Sequence, residues 1–337
     1  MKPPQPTLRR LFAFLRGTLT NSEGFFMIIS ASRRTDLPAY YSAWFFNRLR
    51  EGYVLVRNPV NPHRISRIRL SPDVVDGIVF WTKNPLPMLQ QLDRLRPYPF
   101  YFQFTLTAYG ADVEPGVPKK GRVLIPAFQR LANLIGPERV LWRYDPIFLS
   151  RTYSMAYHIR QFEALAKRLR GCTTRCTISF LDFYRNTAKN TAPLQLLPFS
   201  PAQQRSLAAA LAEIARSCGI RLESCAEPLD LHTCGIEHGR CIDAALFSSL
   251  TGYPMEAKKD PNQRKACGCM ESIDIGAYNT CRAGCRYCYA NHSAKTVCKN
   301  VQAHRPDAPL LTGTILPGDT ITERPMTSCI RTQLQIL

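Results

Sequence analysis

The chain has 337 residues, 45% of them hydrophobic, so it can bury a sizeable core as one large α/β barrel or as two ordinary domains. Lys and Arg number 44 against 25 Asp and Glu, a net charge of +19 that favours anionic partners such as nucleic acid or phosphorylated metabolites. No apolar run approaches the roughly 18 residues of a membrane span, and the crowded spacing of the thirteen cysteines favours metal ligation over disulfides. We therefore expect a cytoplasmic protein with reduced thiols and no membrane partner.

Residues 1–26 form a basic and partly apolar segment ahead of the first strand-like run. Its apolar stretch is interrupted by arginines, and no small-residue cleavage site follows, which argues against a targeting peptide. We expect residues 1–26 to be a disordered upstream extension and consider Met27 a candidate for the true start.

From Met27 the chain alternates strand-like apolar runs with helical patterns, which is typical of βα units around a parallel sheet. The predicted strands cover residues 27–31, 77–81, 100–107, 140–144, 176–180 and 221–224. The predicted helices cover residues 43–51, 86–95, 123–135, 153–170 and 201–218. These repeats predict a parallel βα barrel, TIM-like or partial, over residues 27–224.

A cysteine-rich segment, residues 225–302, follows this core and contains a last predicted strand over 272–277. If this strand lies beside the one at Met27, it closes a permuted barrel from the C-terminal end; the alternative is a six-strand barrel with a separate cysteine domain. Residues 303–337 are rich in Pro, Thr and Gly, and we expect an irregular tail there.

Three cysteines follow the last predicted strand at short spacing. Cys281, Cys285 and Cys288 surround a turn at Gly284 and can point at one centre, with the ring of Tyr287 covering it. Iron–sulfur cubes normally have four thiolate ligands, so a three-cysteine loop leaves one iron open for chemistry. The alternatives are a zinc knuckle that also uses Cys267 and Cys269, or cysteines without a ligand.

A second cysteine group precedes this loop. Cys225, Cys241, Cys267 and Cys269 flank polar turns able to bend toward a metal, and they predict a second iron–sulfur cluster or a structural zinc. Cys234 and His238 remain possible substitutes. The alternative is a set of buried, unligated thiols.

Polar residues recur at the ends of the predicted strands, where parallel βα barrels carry their active sites. They indicate a site for a polar substrate or cofactor, although single members can equally form local ion pairs or helix caps. The candidate binding residues are Arg33, Arg34, Lys83, Asn84, Gln103, Arg143, Asp145 and Glu227. Gln103 shares a strand face with Thr105 and Thr107, and the sequence leaves open whether that face points inward.

The loop of Cys281, Cys285 and Cys288 resembles that of the radical S-adenosylmethionine enzymes, and residues 278–291 are similar to the loop of spore photoproduct lyase and its relatives. The resemblance implies a 4Fe-4S cluster whose open iron chelates S-adenosylmethionine and cleaves it reductively to a 5'-deoxyadenosyl radical. It also implies an electron donor such as flavodoxin or ferredoxin.

From Met27 onward the chain also resembles an uncharacterised bacterial family, the domain of unknown function numbered eighteen forty-eight. The motifs that carry this resemblance are IISASRRTD at residues 28–36, WTKNP at 81–85, SCAE at 224–227, HGRCID at 238–243, KD at 259–260 with QR at 263–264, CGC at 267–269 and SIDIG at 272–276, together with the cysteine loop. Cys234, Cys298 and Cys329 lie outside the family's pattern. This resemblance names no reaction.

We therefore expect a radical S-adenosylmethionine-like iron–sulfur enzyme that acts on an unknown substrate, for which the basic charge favours an anion. Two alternatives from other classes remain. One is a basic protein that contains a structural zinc ion and binds nucleic acid. The other is an iron–sulfur redox protein that does not cleave the cofactor.

Overall fold

A computed structural model of the protein describes residues 27–325 except 184, 256 and 257. The predicted extension, residues 1–26, and the last part of the predicted tail, residues 326–337, lie outside the described residues. The strands are β1 Met27–Ala31, β2 Tyr53–Arg57, β3 Arg64–Arg69, β4 Val75–Thr82, β5 Phe100–Thr105, β6 Val140–Ile147, β7 Arg175–Phe180, β8 Arg221–Ser224, β9 Glu237–His238, β10 Ile273–Asp274 and β11 Thr320–Glu323.

The α-helices alternate with these strands. They are α1 Leu37–Tyr40, α2 Ser42–Glu51, α3 Leu86–Leu89, α4 Ile125–Ile135, α5 Met155–Leu169, α6 Arg185–Thr191, α7 Pro201–Ser217, α8 Ala244–Thr251 and α9 Ala294–Gln302. The longest, α7, begins with a capping box in which Ser200 and Gln203 each bind the other's backbone N–H. The helix predicted over 86–95 is instead α3 followed by a 3₁₀ turn at Leu92–Leu95. In the described residues no helix is long and apolar enough to cross a membrane.

Eight strands form one sheet in the order β10-β1-β4-β5-β6-β7-β8-β9, and every neighbouring pair is parallel. The predicted parallel α/β class is thus confirmed. The expected place of the C-terminal strand is confirmed too, because β10 pairs with β1 through Ile29↔Ile273 and Ser30↔Asp274. The carboxyl ends of eight strands therefore lie along one edge of the sheet.

One face of this sheet, here called the helix face, packs against the long helices. Aromatic side chains of the strands stack there on helical ones, as Trp142 does on Phe162 at 4.7 Å between ring centroids and Phe104 on Phe128 at 4.8 Å. These residues belong to the largest apolar cluster of the described chain. The amphipathic patterns of α4, α5 and α7 that predicted the helices are explained by this burial.

The opposite face, here called the cysteine face, is covered by the segment between β9 and β10. Val79, Tyr101 and Leu141 project from the strands onto Phe247 of α8 in a second apolar cluster. Gly77 permits this contact, because a Cβ atom there would lie 2.1 Å from the Phe247 ring. Both faces are therefore buried, which explains the nearly continuous apolar runs of the strands.

A second, smaller sheet was not predicted. β2 and β3 form an antiparallel hairpin, and β11 pairs with β3 in parallel. The predicted irregular tail therefore contains a strand. β3 is rich in arginine, with the sequence RISRIR, and Arg67 lies over the ring of Tyr53 at 4.3 Å, so this strand has a charged pattern and not a run of apolar residues.

Candidate functional site at the carboxyl edge of the sheet

A cavity of about 310 Å³ opens at the carboxyl ends of the parallel strands. The loops after β1, β4, β6, β7 and β8 contribute to its wall, as does the loop after β10. Open parallel sheets bind ligands at this edge because the strand ends and loops converge there. Seven cysteines line the cavity: Cys225, Cys241, Cys267, Cys269, Cys281, Cys285 and Cys288. These are all seven thiols that the sequence predicted as metal ligands.

The loop of residues 281–288, here called the cluster loop, follows β10 and is fixed at several points. Gly284 adopts a positive φ of 64°, as the tight turn requires. The backbone N–H of Gly116 binds the carbonyl of Ala283 at 2.9 Å, and a Cβ atom on Gly116 would lie 2.6 Å from the carbonyl oxygen of Arg282. Asn291 Nδ2 donates to the carbonyl of Cys281 at 2.8 Å, which closes the base of the loop.

The three thiols of the cluster loop suit thiolate ligands of a metal cluster. Burial raises the pKa of Cys281 to about 12 and raises the pKa values of Cys285 and Cys288 as well, so the free thiols stay protonated until a cation replaces the proton. Backbone N–H groups favour the thiolate form: Ala290 donates to the sulfur of Cys288 at 3.4 Å. The side chain of Lys83 also favours the thiolates of Cys285 and Cys288.

Asp274, at the end of β10, joins the cluster loop to the loop after β1. Its carboxylate accepts hydrogen bonds from Ser32 Oγ at 2.6 Å, from the Arg33 backbone N–H at 2.7 Å and from Ser30 Oγ at 3.0 Å. It also accepts from the Gly276 backbone N–H at 2.9 Å. A single carboxylate therefore fixes the positions of both loops at the cavity.

A buried charge network supports the cluster loop from the other side. The carboxylate of Glu114 accepts from Lys83 Nζ at 2.9 Å, from Thr107 Oγ1 at 3.0 Å, and from Lys120 and the Tyr287 hydroxyl. Burial alone would raise the pKa of Glu114, but the two ammonium groups lower it to about 2. The sequence analysis missed Glu114 and Lys120, because they lie in a long segment after β5 without a motif.

Asp36 connects the loops after β1 and β4. Its carboxylate accepts from Thr82 Oγ1 and from the Lys83 backbone N–H, both at 2.7 Å, and caps α1 through the Ala39 backbone N–H at 3.0 Å. Burial raises the pKa of Asp36 to about 6. Asp36 forms no ion pair with the nearby Arg34 in the described residues, because the guanidinium of Arg34 lies over the ring of Tyr278 at 5.1 Å.

The second cysteine group, here called the thiol quartet, comprises Cys225, Cys241, Cys267 and Cys269. The sulfurs of Cys225 and Cys241 are 3.1 Å apart. Cys241 also hydrogen-bonds to Cys269, and Cys269 to Cys267. The hydrogen bond with Cys269 lowers the pKa of Cys267 to about 7, whereas the pKa values of the other three thiols are raised, so Cys267 ionises most readily. Across the described residues, no set of three or more His, Cys, Asp or Glu side chains is yet arranged to hold a metal ion.

Two arginines flank the quartet and share one aromatic ring. Arg143 donates to the Cys241 sulfur at 2.7 Å and forms a two-point ion pair with Asp145. Its guanidinium lies over the Trp81 ring at 5.2 Å, and that of Arg33 lies over the same ring at 5.6 Å. Arg33 has a carboxylate partner as well, because its Nη1 lies 3.7 Å from Asp260, so two arginine–carboxylate pairs flank the quartet.

A family model described as Domain of unknown function (DUF1848) matches residues 28–290 of the chain. The chain belongs to this family. The match begins in β1 and ends just after the cluster loop, so the part of the protein common to DUF1848 contains both cysteine groups and the loops that line the cavity.

Comparison of this DUF1848 protein with curated proteins found no match. A Rhizobium etli pyruvate carboxylase structure, crystallized without acetyl coenzyme A, is similar with 13% identity and a TM-score of 0.27, over 70% of this chain and 25% of that one. The carboxyl transferase domain from the same enzyme, with pyruvate, has 12% identity and a TM-score of 0.27 over 71% and 42%. This chain spans less than half of either, and similarity this weak supports no conclusion.

Five of the eight predicted binding residues of this DUF1848 protein line the cavity, namely Arg33, Arg34, Lys83, Arg143 and Asp145. The other three lie outside its lining. The backbone N–H of Asn84 binds Thr82, and its side chain lies at the start of α3.

Gln103 is buried on the cysteine face, where its amide donates to the Cys241 carbonyl at 2.9 Å. Thr105, two residues further on, lines the cavity, so the face of β5 that the sequence left undecided points toward the site. Glu227 accepts from the Phe180 backbone N–H at 2.7 Å, and burial raises its pKa to about 7. Both residues therefore bind the backbone of segments that form the cavity wall, without lining the cavity themselves.

Proposed function

We propose that this protein is a radical S-adenosylmethionine-like iron–sulfur enzyme. One observation carries the proposal: the cluster loop follows the strand paired with β1, and its three thiols open onto the same cavity as cationic strand-end residues. A single loop of this kind leaves one iron of a four-iron cluster without a protein ligand. The cavity gives that open position room for a small polar cofactor.

The residues present fit such a group. Cys281, Cys285 and Cys288 would hold a 4Fe-4S cluster, since each is buried or half-buried beside the cavity and at least two accept backbone N–H bonds. When bound with S-adenosylmethionine, the cluster would supply an electron for reductive cleavage of the cofactor. The electron would come from a donor such as flavodoxin or ferredoxin.

The protein's own side chains would bind and orient the ligands. Among the described residues the side chain of Arg34 has no hydrogen bond or ion pair, so its guanidinium remains able to bind a carboxylate or phosphate. Arg33 Nη1 lies 3.7 Å from Asp260, and only its buried Nη2 has no hydrogen-bond partner. Asp145, held by Arg143, offers a fixed acceptor to hydroxyl or ammonium groups. An anionic substrate is consistent with this balance of charge.

We further propose that the parallel sheet is a permuted βα barrel in which β10 replaces the usual first strand. The order of strands, the helices on one face and the cavity at the carboxyl edge support this arrangement. Among the described residues no ladder joins β9 to β10, so the barrel would be incomplete at that seam.

Anaerobic purification followed by metal analysis tests the function. We expect iron and sulfide with a broad iron–sulfur absorbance, and release of 5'-deoxyadenosine on reduction with S-adenosylmethionine. Cys285→Ser should lose this iron and the product, whereas Cys298→Ser, an exposed thiol on α9, should keep both.

Other results would select a different function. A colourless protein with zinc alone contradicts the proposal, and salt-dependent binding of DNA or RNA would then favour the basic nucleic-acid-binding alternative. An iron–sulfur cluster whose spectrum does not respond to S-adenosylmethionine would favour a redox protein without cofactor cleavage.

A further inference from the structure

The thiol quartet brings together cysteines from three separate parts of the chain. Cys225 directly follows β8, Cys241 follows β9, and Cys267 and Cys269 precede β10. Backbone hydrogen bonds join these parts as well, as in Met270 N–H to the Ile242 carbonyl at 3.2 Å. The thiols thus converge because of the fold and not because of sequence proximity alone.

The spacing of these sulfurs discriminates between kinds of metal centre. Cys225 and Cys241 sulfurs are 3.1 Å apart, and Cys269 lies within hydrogen-bonding range of both Cys241 and Cys267. A tetrahedral zinc with bonds of about 2.3 Å holds its sulfurs roughly 3.8 Å apart. A four-iron cube holds them much further apart, because each sulfur binds a different iron. The three neighbouring sulfur pairs of the quartet are therefore closer together than the ligands of a cube, as the ligands of a single ion are.

Two guanidinium groups, each of which also pairs with a carboxylate, lie beside the quartet. Four thiolates around one divalent ion leave a net negative charge, which is costly to bury without a cation. Arg143 contacts the Cys241 sulfur at 2.7 Å, and Arg33 lies within electrostatic range of Cys269 and Cys241. Arg33 Nη1 lies 3.7 Å from Asp260, and its Nη2 is buried without a hydrogen-bond partner, so this second nitrogen can face such a charge.

We propose that the thiol quartet of Cys225, Cys241, Cys267 and Cys269 binds one zinc ion, balanced by Arg33 and Arg143. In the described residues the side chains hydrogen-bond to one another as thiols; loss of their protons on binding lets the sulfurs turn toward the ion. The ion stabilises the segment that covers the cysteine face and so fixes one wall of the cavity. This site is independent of whether the cluster loop binds iron.

The test uses the full chain, purified without oxygen and supplied with both zinc and iron. A variant with Cys281→Ser, Cys285→Ser and Cys288→Ser removes the cluster loop's ligands and should retain one zinc per chain. X-ray absorption at the zinc edge of that variant should give four sulfur neighbours at about 2.3 Å. Cobalt supplied in place of zinc should give the strong visible bands of a tetrahedral thiolate site.

A second pair of variants locates the site. Cys225→Ser, which changes a half-buried ligand at the edge of the quartet, should lower zinc content at least tenfold. Cys234→Ser is the control, because its thiol bonds to the Arg205 carbonyl at 3.7 Å, outside the quartet, and zinc content should not change.

Two outcomes would overturn the inference. One is a cluster-loop variant that holds iron and sulfide in place of zinc, which would indicate a second iron–sulfur cluster; the other is a variant that holds no metal. Both outcomes are measured on the cluster-loop variant, so they do not depend on whether the Cys225→Ser variant folds. Absence of iron from the parent protein would contradict the proposed function and leave the zinc site intact.

Discussion

Glu114→Gln should destabilise the protein strongly, although the change is nearly isosteric. The Glu114 side chain is fully buried between Lys83 and Lys120, whose side chains are 15% and 20% exposed. Lowering its pKa from 4.5 to about 2 corresponds to roughly 3 kcal/mol, at about 1.36 kcal/mol for each pKa unit. Removing one partner of a buried ion pair costs about 3–5 kcal/mol, which agrees with this magnitude.

The same pair of pKa values fixes the pH dependence. A carboxyl group whose pKa is lowered by folding contributes stability above its unfolded pKa of 4.5 and loses it as the pH falls toward 2. Urea unfolding of chelator-treated protein should therefore give a parent-minus-variant difference in unfolding free energy of about 3 kcal/mol at pH 7. The difference should shrink steadily below pH 4.5.

A matched surface change provides the control. Glu163→Gln breaks an i,i+4 pair with Lys167 whose side chains are 45% and 63% exposed, and such pairs contribute only about 0.3–0.5 kcal/mol. Two results would contradict this prediction. One is a loss of unfolding free energy in Glu114→Gln no larger than that in Glu163→Gln, and the other is a loss in Glu114→Gln that is the same at pH 7 and pH 3.

Asp274→Asn should lower the free energy of unfolding by about 1–3 kcal/mol, because the side chain loses charge-assisted hydrogen bonds from Ser32 and the Arg33 backbone N–H. Urea unfolding measures this loss, and an unchanged free energy of unfolding would contradict the prediction. Iron content of the same variant should fall as well, since Asp274 positions the loops on both sides of the cavity. Gly77→Ala should cost about 1–3 kcal/mol through its clash with Phe247. Phe247→Leu in the same chain should recover part of that cost, and a double-mutant cycle without coupling would refute the contact.

Local patterns in the sequence were sufficient to predict most of the large sheet. Strands β1 and β8 have the predicted bounds, and β4, β6 and β7 extend the predicted runs by a few residues. This succeeded because both faces of these strands are buried, which produces continuous apolar runs bounded by polar turns. The helices on the helix face were predicted for a related reason, since each presents one apolar side to the sheet.

Metal binding by the seven cysteines stays a prediction, and the sequence did not predict how these thiols are arranged. All seven predicted thiols line one cavity, because the loops that carry them follow parallel strands whose ends meet at one edge. Whether the quartet's sulfurs are near enough for one ion depends on how β8, β9 and β10 bring separate loops together. That information is absent from the spacing along the chain.

The remaining features depend on contacts between distant residues. β11 pairs with β3 across more than two hundred positions of the chain, and its four residues have no apolar pattern of their own. Glu114 contacts Lys83 and Tyr287 from a segment without a motif, so only the folded chain reveals the ion pair. Sequence determined most strands of the large sheet and its long helices, because these follow from local periodicity and residue chemistry. Tertiary structure decided the charge network, the second sheet and the geometry of the quartet, because each requires distant side chains to meet.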